Sequence, residues 1–274
     1  MPLPPPGPDA HVLVTGASSG IGAETARALA TRGYPTLLVA RREDALTELA
    51  DELRDRSGLP SEVHAADLGD DDARAGVRDL LRRDDRIVGL VNAAGFGATG
   101  RVVDQDPAEL DGLVRVNVLA LHDLTVAAVQ AFVPRARATG RSAAILNVSS
   151  ITAFQPLPGV ASYAASKAFV QSFSEAVHTE LAGTAVTLTT LSPGLTRTGF
   201  ADAAGTEAFD RAPGFTVGEA ADVAEAGVAA MAAGHRSVVP GLVNQLSALS
   251  GRLTPRTVLL PVVHQAMDWF GGRG

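Results

Sequence analysis

The sequence predicts an α/β architecture, a parallel sheet of about seven strands with helices on both faces. Three observations lead there. Short apolar segments alternate with helix-periodic ones between residue 11 and about residue 194. The apolar segments lack the polar alternation of a half-solvated sheet, and glycines stand where the helices should stop. Strands apolar throughout are buried on both faces, and right-handed crossovers between them wind helices onto both sides, giving a doubly wound order.

The elements follow in turn. HVLVTG (residues 11–16) is a buried strand by length and β-branching, and it runs into a helix that Gly33 closes. PTLLVA (35–40) is the second strand, followed by the helix EDALTELADELRDRSG ending at Gly58. SEVHAAD and RIVGLVNAAG read as the third and fourth strands, with the acidic helix DDARAGVRDLLRR between them. A long helical region spans about Pro107 to Arg137, then AAILNVSS supplies a fifth strand. SYAASKAFVQSFSEAVHTELAG is a helix, AVTLTTLSPG a sixth strand, and SVVPG marks a seventh. The proline-rich residues 1–10 read as a flexible tail without a signal pattern, leaving 11–274 as a single domain. Within it, about 199–217 reads as a loop over a site and about 244–274 as a C-terminal extension.

Bulk composition narrows the function classes. A net charge of −7 leaves no basic surplus to neutralise phosphates, which argues against a nucleic-acid partner. With no cysteine there is no disulfide or thiolate chemistry, which suits a cytoplasmic protein. The six histidines (11, 64, 122, 178, 235 and 264) lack metal-ligand spacing, so no metal is expected. No uncharged apolar run reaches about 18 residues, so no membrane span is expected.

TGASSGIG, Thr15 to Gly22, lies between the first strand and the first helix, where a dinucleotide pyrophosphate meets a helix N-terminus. Gly16 permits a tight turn, while Gly20 and Gly22 allow close approach of ligand and helix. The same letters spell a G-x-S-x-G elbow, which would make Ser18 a hydrolase nucleophile with His178, His235 or His264 as partner. That alternative leaves the chain's single lysine unexplained. After the second strand stand Arg41 and Arg42, where an enzyme preferring NAD usually carries an acid for the ribose hydroxyl. Guanidinium groups match a 2′-phosphate in charge and fork geometry, so NADP(H) is preferred over NAD(H).

The other 22 of the 23 basic residues are arginines, and Lys167 stands four residues after Tyr163, one of two tyrosines. The i, i+4 spacing puts both on one helix face. A free phenol has a pKa of about 10, and an adjacent ammonium favours its ionised form. Lowering that pKa by about 3 units takes roughly 4 kcal/mol of differential interaction. A lysine's compact, rotatable head suits this better than a guanidinium.

Seven motifs in order over residues 11 to about 200 resemble the short-chain dehydrogenase/reductase family: TGASSGIG, ADL, NAAG, VNV, NVSS, YAASK and SPGLTRT. The resemblance implies a Rossmann-like fold and an oxidoreductase moving a hydride between nicotinamide and a ketone, aldehyde or secondary alcohol. It implies Tyr163 as general acid–base, Ser150 (rather than Ser149) on the substrate oxygen, Lys167 on the nicotinamide ribose, and Asn117 anchoring a proton-relay water. Along the cofactor it implies Gly16, Ser18, Ser19, Gly20, Ile21 and Gly22 at the pyrophosphate. Asp67 and Leu68 fall at the adenine, Asn92, Ala93 and Gly95 further along, and Pro193, Gly194, Leu195 and Thr198 at the nicotinamide. A homodimer or homotetramer is implied by the resemblance alone. A cofactor-binding sensor or scaffold without chemistry is the competing class.

The family motifs stop near Gly199. Phe96, Phe154 and Phe200 point to an apolar substrate pocket, and Phe209 and Phe215 to an apolar lid. The C-terminal extension, whose apolar run Pro261 interrupts, is expected over the cleft or in a subunit interface.

Overall fold

The computed structural model describes residues 3–198 and 217–271. The expected segment 199–217, with Phe200, Phe209 and Phe215, falls outside the described residues except for Val217. Seven parallel strands form the main sheet: β1 (His11–Thr15), β2 (Thr36–Ala40), β3 (Ser61–Ala65), β4 (Ile87–Asn92), β5 (Ala143–Val148), β6 (Val186–Leu191) and β9 (Ser237–Val238). Their order is β3-β2-β1-β4-β5-β6-β9, so the winding reverses between β1 and β4. In a doubly wound sheet the crevice beyond that reversal is where ligands bind. A two-stranded parallel pair, β7 (Thr196–Arg197) with β8 (Gly218–Glu219), joins the two chain segments that flank the undescribed stretch.

The apolar strands do face helices on both sides. Val12 and Val14 of β1 face one side, where α1 (Gly20–Thr31), α2 (Glu43–Ser57) and α7 (Ala220–Ala233) supply Leu29, Leu46 and Met231. Leu13 points to the other, where α3 (Asp71–Arg83), α5 (Leu121–Thr139) and α6 (Ala161–Glu180) supply Leu81, Leu124 and Val177. By length and mean hydropathy (1.6) the stretch Pro107–Thr139 passes for a membrane span. In the fold α5 instead lays Leu124, Ala128 and Phe132 against the sheet.

One sequence expectation changes and another is refined. The proline-rich residues 3–10 pack down rather than hang free: Leu3 enters the core, and the Tyr34 hydroxyl donates to the Pro4 carbonyl at 2.6 Å. Buried Leu3 and the Pro4 carbonyl anchor one end of the segment, and buried Ala10 the other. The long helical region expected from about Pro107 is present and runs unbroken to Thr139, but it is not α-helical throughout. It divides into α4 (Pro107–Val114), a π-helical turn (Arg115–Ala120) and α5, and Asn117 lies in the turn.

Register places the site. Thr15 pairs with Asn92, and Asn92 with Asn147, so the loops after β1, β4 and β5 leave the same sheet edge side by side. The C-terminal helices are α8 (Leu242–Leu253) and α9 (Arg256–Gly271).

Candidate active site

The glycine loop leaves β1 under tight steric control. Gly16 takes φ +66°, and a Cβ there would meet the backbone of Ala93 and Ala94 within 2.9 Å. The glycine therefore serves the turn and also the approach of the loop after β4. Thr15 reinforces that approach, its hydroxyl accepting from the amides of Ala93 and Ala94 at 3.1 and 3.2 Å. Gly22 is demanded by packing, since a Cβ there would collide with the Gly16 carbonyl.

Helix α1 starts at Gly20 with no side-chain hydrogen bond at its Ser19 cap and no acid in its first turn. By contrast Asp70 caps α3 and Asp106 caps α4 through their carboxylates. An uncapped first turn behind a glycine cradle suits an anionic oxygen, so these residues fit a dinucleotide pyrophosphate. Arg42 donates to the Ser18 carbonyl at 2.9 Å and reaches its hydroxyl at 3.3 Å, which ties the exposed guanidinium to the loop's rim. Arg41 is exposed beside it. Among the described residues Ser18 has this arginine as partner, and the His178 ring bonds the Leu188 carbonyl instead, an arrangement unlike an activated serine.

Further along the cleft, Asp67 accepts the Gly69 amide at 2.9 Å, and Leu68 turns its side chain into the core. Only the backbone of Leu68 can therefore face a ligand. Asn92 is likewise turned inward. Its amide donates to Thr125 at 3.0 Å and Asn147 at 2.9 Å, and Asn147 donates on to Ser174 at 2.9 Å. This buried amide network lies under the sheet edge, and the polar letters inside otherwise apolar strands were its signal in the sequence.

The turn after β4 meets the π-helical turn through Asn117. The Asn117 carboxamide accepts the Phe96 amide at 3.0 Å and donates to the Phe96 carbonyl at 2.9 Å and to Ser166 at 3.2 Å. The side chain is fully buried and holds the backbone beside Gly95 in place. A Cβ at Gly95 would lie 3.0 Å from the Asn117 oxygen and 3.5 Å from the Lys167 amine. Ser166, which the sequence reading passed over, carries the chain on by donating to the Tyr163 carbonyl at 2.7 Å.

Ser149 and Ser150 part ways at the end of β5. The Ser149 hydroxyl donates to the Lys167 carbonyl at 2.9 Å and is spent on the fold. Ser150 hydrogen-bonds the Tyr163 side chain. Lys167, on the same face of α6, is buried, donates to the Val148 carbonyl at 3.0 Å, and lies 5.8 Å from the centroid of the Tyr163 ring.

The electrostatics differ from the sequence expectation. Burial pushes the Tyr163 phenol up to about 12, with the Ser150 hydrogen bond acting the other way. Burial also brings the Lys167 amine down to about 8. Burial favours the neutral form of each group, and this, rather than the attraction expected from their spacing, sets the direction of both shifts. At the glycine loop, Thr198 lies over Gly20, where a Cβ would be 3.1 Å from its side chain. Phe154 is buried and Phe96 partly buried, both beside the loops that carry Ser150 and Gly95.

A doubly wound sheet with a glycine cradle at its reversal point and a serine–tyrosine–lysine set beside it defines a nicotinamide-type oxidoreductase. Residues 10–208 match the model of the short chain dehydrogenase family, and the chain belongs to that family. Sulfoacetaldehyde reductase 2 of Chromohalobacter salexigens is 39% identical over 193 residues, which cover 69% of this chain and 73% of that protein. A short-chain dehydrogenase from Sphingobium yanoikuyae, solved in complex with NADPH, is 34% identical with a TM-score of 0.77, covering 92% of this chain and 95% of that one. The bulky-bulky ketone specific alcohol dehydrogenase from Comamonas testosteroni is 28% identical with a TM-score of 0.75, covering 98% and 95%.

Proposed function

We propose that the chain is an NADP(H)-dependent carbonyl reductase or alcohol dehydrogenase. The observation that carries this is the convergence of Ser150, Tyr163 and Lys167 at the end of β5 and on one face of α6, beside the glycine cradle. The bound nicotinamide supplies or takes the hydride; the protein's task is to orient the reactants, exclude water and move one proton. Gly16, Ser18, Ser19, Gly20, Ile21 and Gly22 hold the pyrophosphate, and Arg41 and Arg42 a 2′-phosphate. Asp67 and the Leu68 backbone border the adenine. Ala93 and Gly95 line the middle of the cleft, and Pro193, Gly194, Leu195 and Thr198 the nicotinamide.

Ser150 positions the substrate oxygen and Tyr163 exchanges its proton. The buried phenol is protonated at neutral pH, the form that gives its proton to the developing alkoxide when a carbonyl is reduced. Lys167 would bind the ribose hydroxyls, and Asn117 keeps the Phe96 backbone and Ser166 aligned beside it. The substrate is a medium-sized, largely apolar ketone or alcohol bounded by Phe96 and Phe154, and the working form is a homodimer or homotetramer in the cytoplasm.

Calorimetric titration with NADPH and NADH tests the cofactor assignment. NADPH is expected to bind more tightly, and Arg42→Ala to weaken NADPH alone; tighter NADH binding would refute the arginine role. Tyr163→Phe is expected to abolish turnover on a carbonyl panel while leaving NADPH affinity intact. Full activity in that variant would remove the acid–base role.

A further inference from the structure

Helix α8 lies outside the segment that matches the family model, yet it touches the site at three points. The first is Gly194. Its φ is not positive, so no backbone conformation demands glycine there. What demands it is Asn244, since the three atoms nearest to a Cβ at position 194 are Oδ1, Cγ and Nδ2 of that side chain. Asn244 is not free to swing away without loss, because its amide donates to the Pro240 carbonyl at 2.7 Å.

The second point is Gly251. It too lacks a positive φ, and a Cβ there would lie 2.9 Å from the Phe154 carbonyl and 3.3 Å from the Gln155 side chain. At the third, the Arg252 guanidinium stacks 4.6 Å from the Phe154 ring centroid while reaching Glu175 of α6 at 3.3 Å. The two loops so gripped are themselves joined, as the Ile151 amide donates to the Pro193 carbonyl at 2.9 Å. Ile151 follows Ser150 directly, so the grip reaches the serine.

We propose that α8 is a clasp that sets the nicotinamide turn relative to the Ser150 loop, with Asn244 and Gly251 as its positioning residues. It rests on the cofactor reading above. Two glycines that no turn requires, Gly194 in the nicotinamide turn and Gly251 in α8 itself, each leave room for a helix–loop contact, so helix and loops are fitted to each other at both places. A displaced Pro193–Gly194 turn would alter the nicotinamide end of the cleft and leave the adenine end alone.

The test compares NADPH with 2′-phospho-ADP-ribose, which lacks the nicotinamide, by calorimetry on the full chain. Gly194→Ala is expected to weaken NADPH about tenfold, the scale of one lost hydrogen bond, while the fragment changes less than about twofold. Adding Asn244→Ala, which removes all three clashing atoms, is expected to bring NADPH affinity back to that of Asn244→Ala alone. If Gly194→Ala does not fold, recovery of folded protein in the double variant reads the same contact. Gly251→Ala, whose Cβ meets the Phe154 backbone, is expected to lower kcat and melting temperature with little change in NADPH affinity. Unchanged NADPH binding in Gly194→Ala, equal loss of both ligands, or no rescue by Asn244→Ala each overturns the clasp. Failure of the unaltered protein to bind either ligand overturns the cofactor reading, and the clasp with it.

Discussion

Replacing Lys167 with methionine separates what this residue does for the reaction from what it costs the fold. Lys167 is 5% exposed, and burial lowers the pKa of its amine from 10.5 to about 8. At about 1.4 kcal/mol per unit, that gap means the buried ammonium costs the native state about 3 kcal/mol below pH 8. Methionine fills similar volume without the charge, but it forfeits the bond to the Val148 carbonyl, worth about 1 kcal/mol. Lys167→Met is therefore expected to be more stable at pH 7 by about 2 kcal/mol, a rise in Tm of about 3 °C for a chain of this size. Turnover is expected to fall by at least about a hundredfold. The sign of the pH dependence follows from the lowered pKa. Between pH 8 and 10.5 the unfolded chain holds a proton that the native amine has released, so the original protein gains stability relative to the variant as pH rises. By pH 10.5 the order reverses, leaving the variant weaker by about 1 kcal/mol, the missing hydrogen bond. Paired urea titrations at pH 7, 8, 9 and 10 cancel the other titrating groups. A variant that is less stable at pH 7, or a difference that stays flat with pH, refutes the reasoning.

Three further outcomes follow from the geometry. His11 is buried beside Glu62 and Arg86, and burial first, then Arg86, lowers its pKa from 6.5. The unfolded chain thus binds more protons there, and stability is expected to fall as pH drops below 6.5, with His11→Phe flattening that limb in urea titrations. Gly22→Ala pushes a methyl group into the Gly16 carbonyl, which is backbone and cannot swing aside. It is expected to cost about 1–3 kcal/mol by thermal melting and to weaken cofactor binding. Asn117→Ala strands both backbone polar groups of Phe96, so a loss of about 2–4 kcal/mol in urea unfolding is expected, together with lower kcat.

The architecture was legible because the central strands β1, β4 and β5 are buried at every position and show no solvent-side alternation. The resemblance favoured Ser150 over Ser149, and in the fold the two hydroxyls have different partners, Ser149 the Lys167 carbonyl and Ser150 the Tyr163 side chain. Three things were not legible. The packing of residues 3–10 depends on Tyr34 and Gly89, which nothing in a proline-rich composition announces. The π-helical turn around Asn117 has no local sequence signal. The direction of the Tyr163 shift depends on how much protein surrounds the phenol, whereas the sequence shows only that a lysine lies one turn away.

The glycines show why such limits arise. Gly16 and Gly20 have positive φ, a property of the local chain, and a strand–turn–helix context is enough to expect them. Gly22, Gly194 and Gly251 have no such requirement. Each exists for an atom elsewhere: a carbonyl six residues back, a side chain 50 residues on, or a carbonyl 97 residues back. A loop motif can be read by spacing, but a vacancy for a distant neighbour can be read only once that neighbour is in place. One of these vacancies lies in the nicotinamide turn and one in α8 facing the Ser150 loop, so even where the family motifs run, the fit to α8, which lies outside them, depends on tertiary structure.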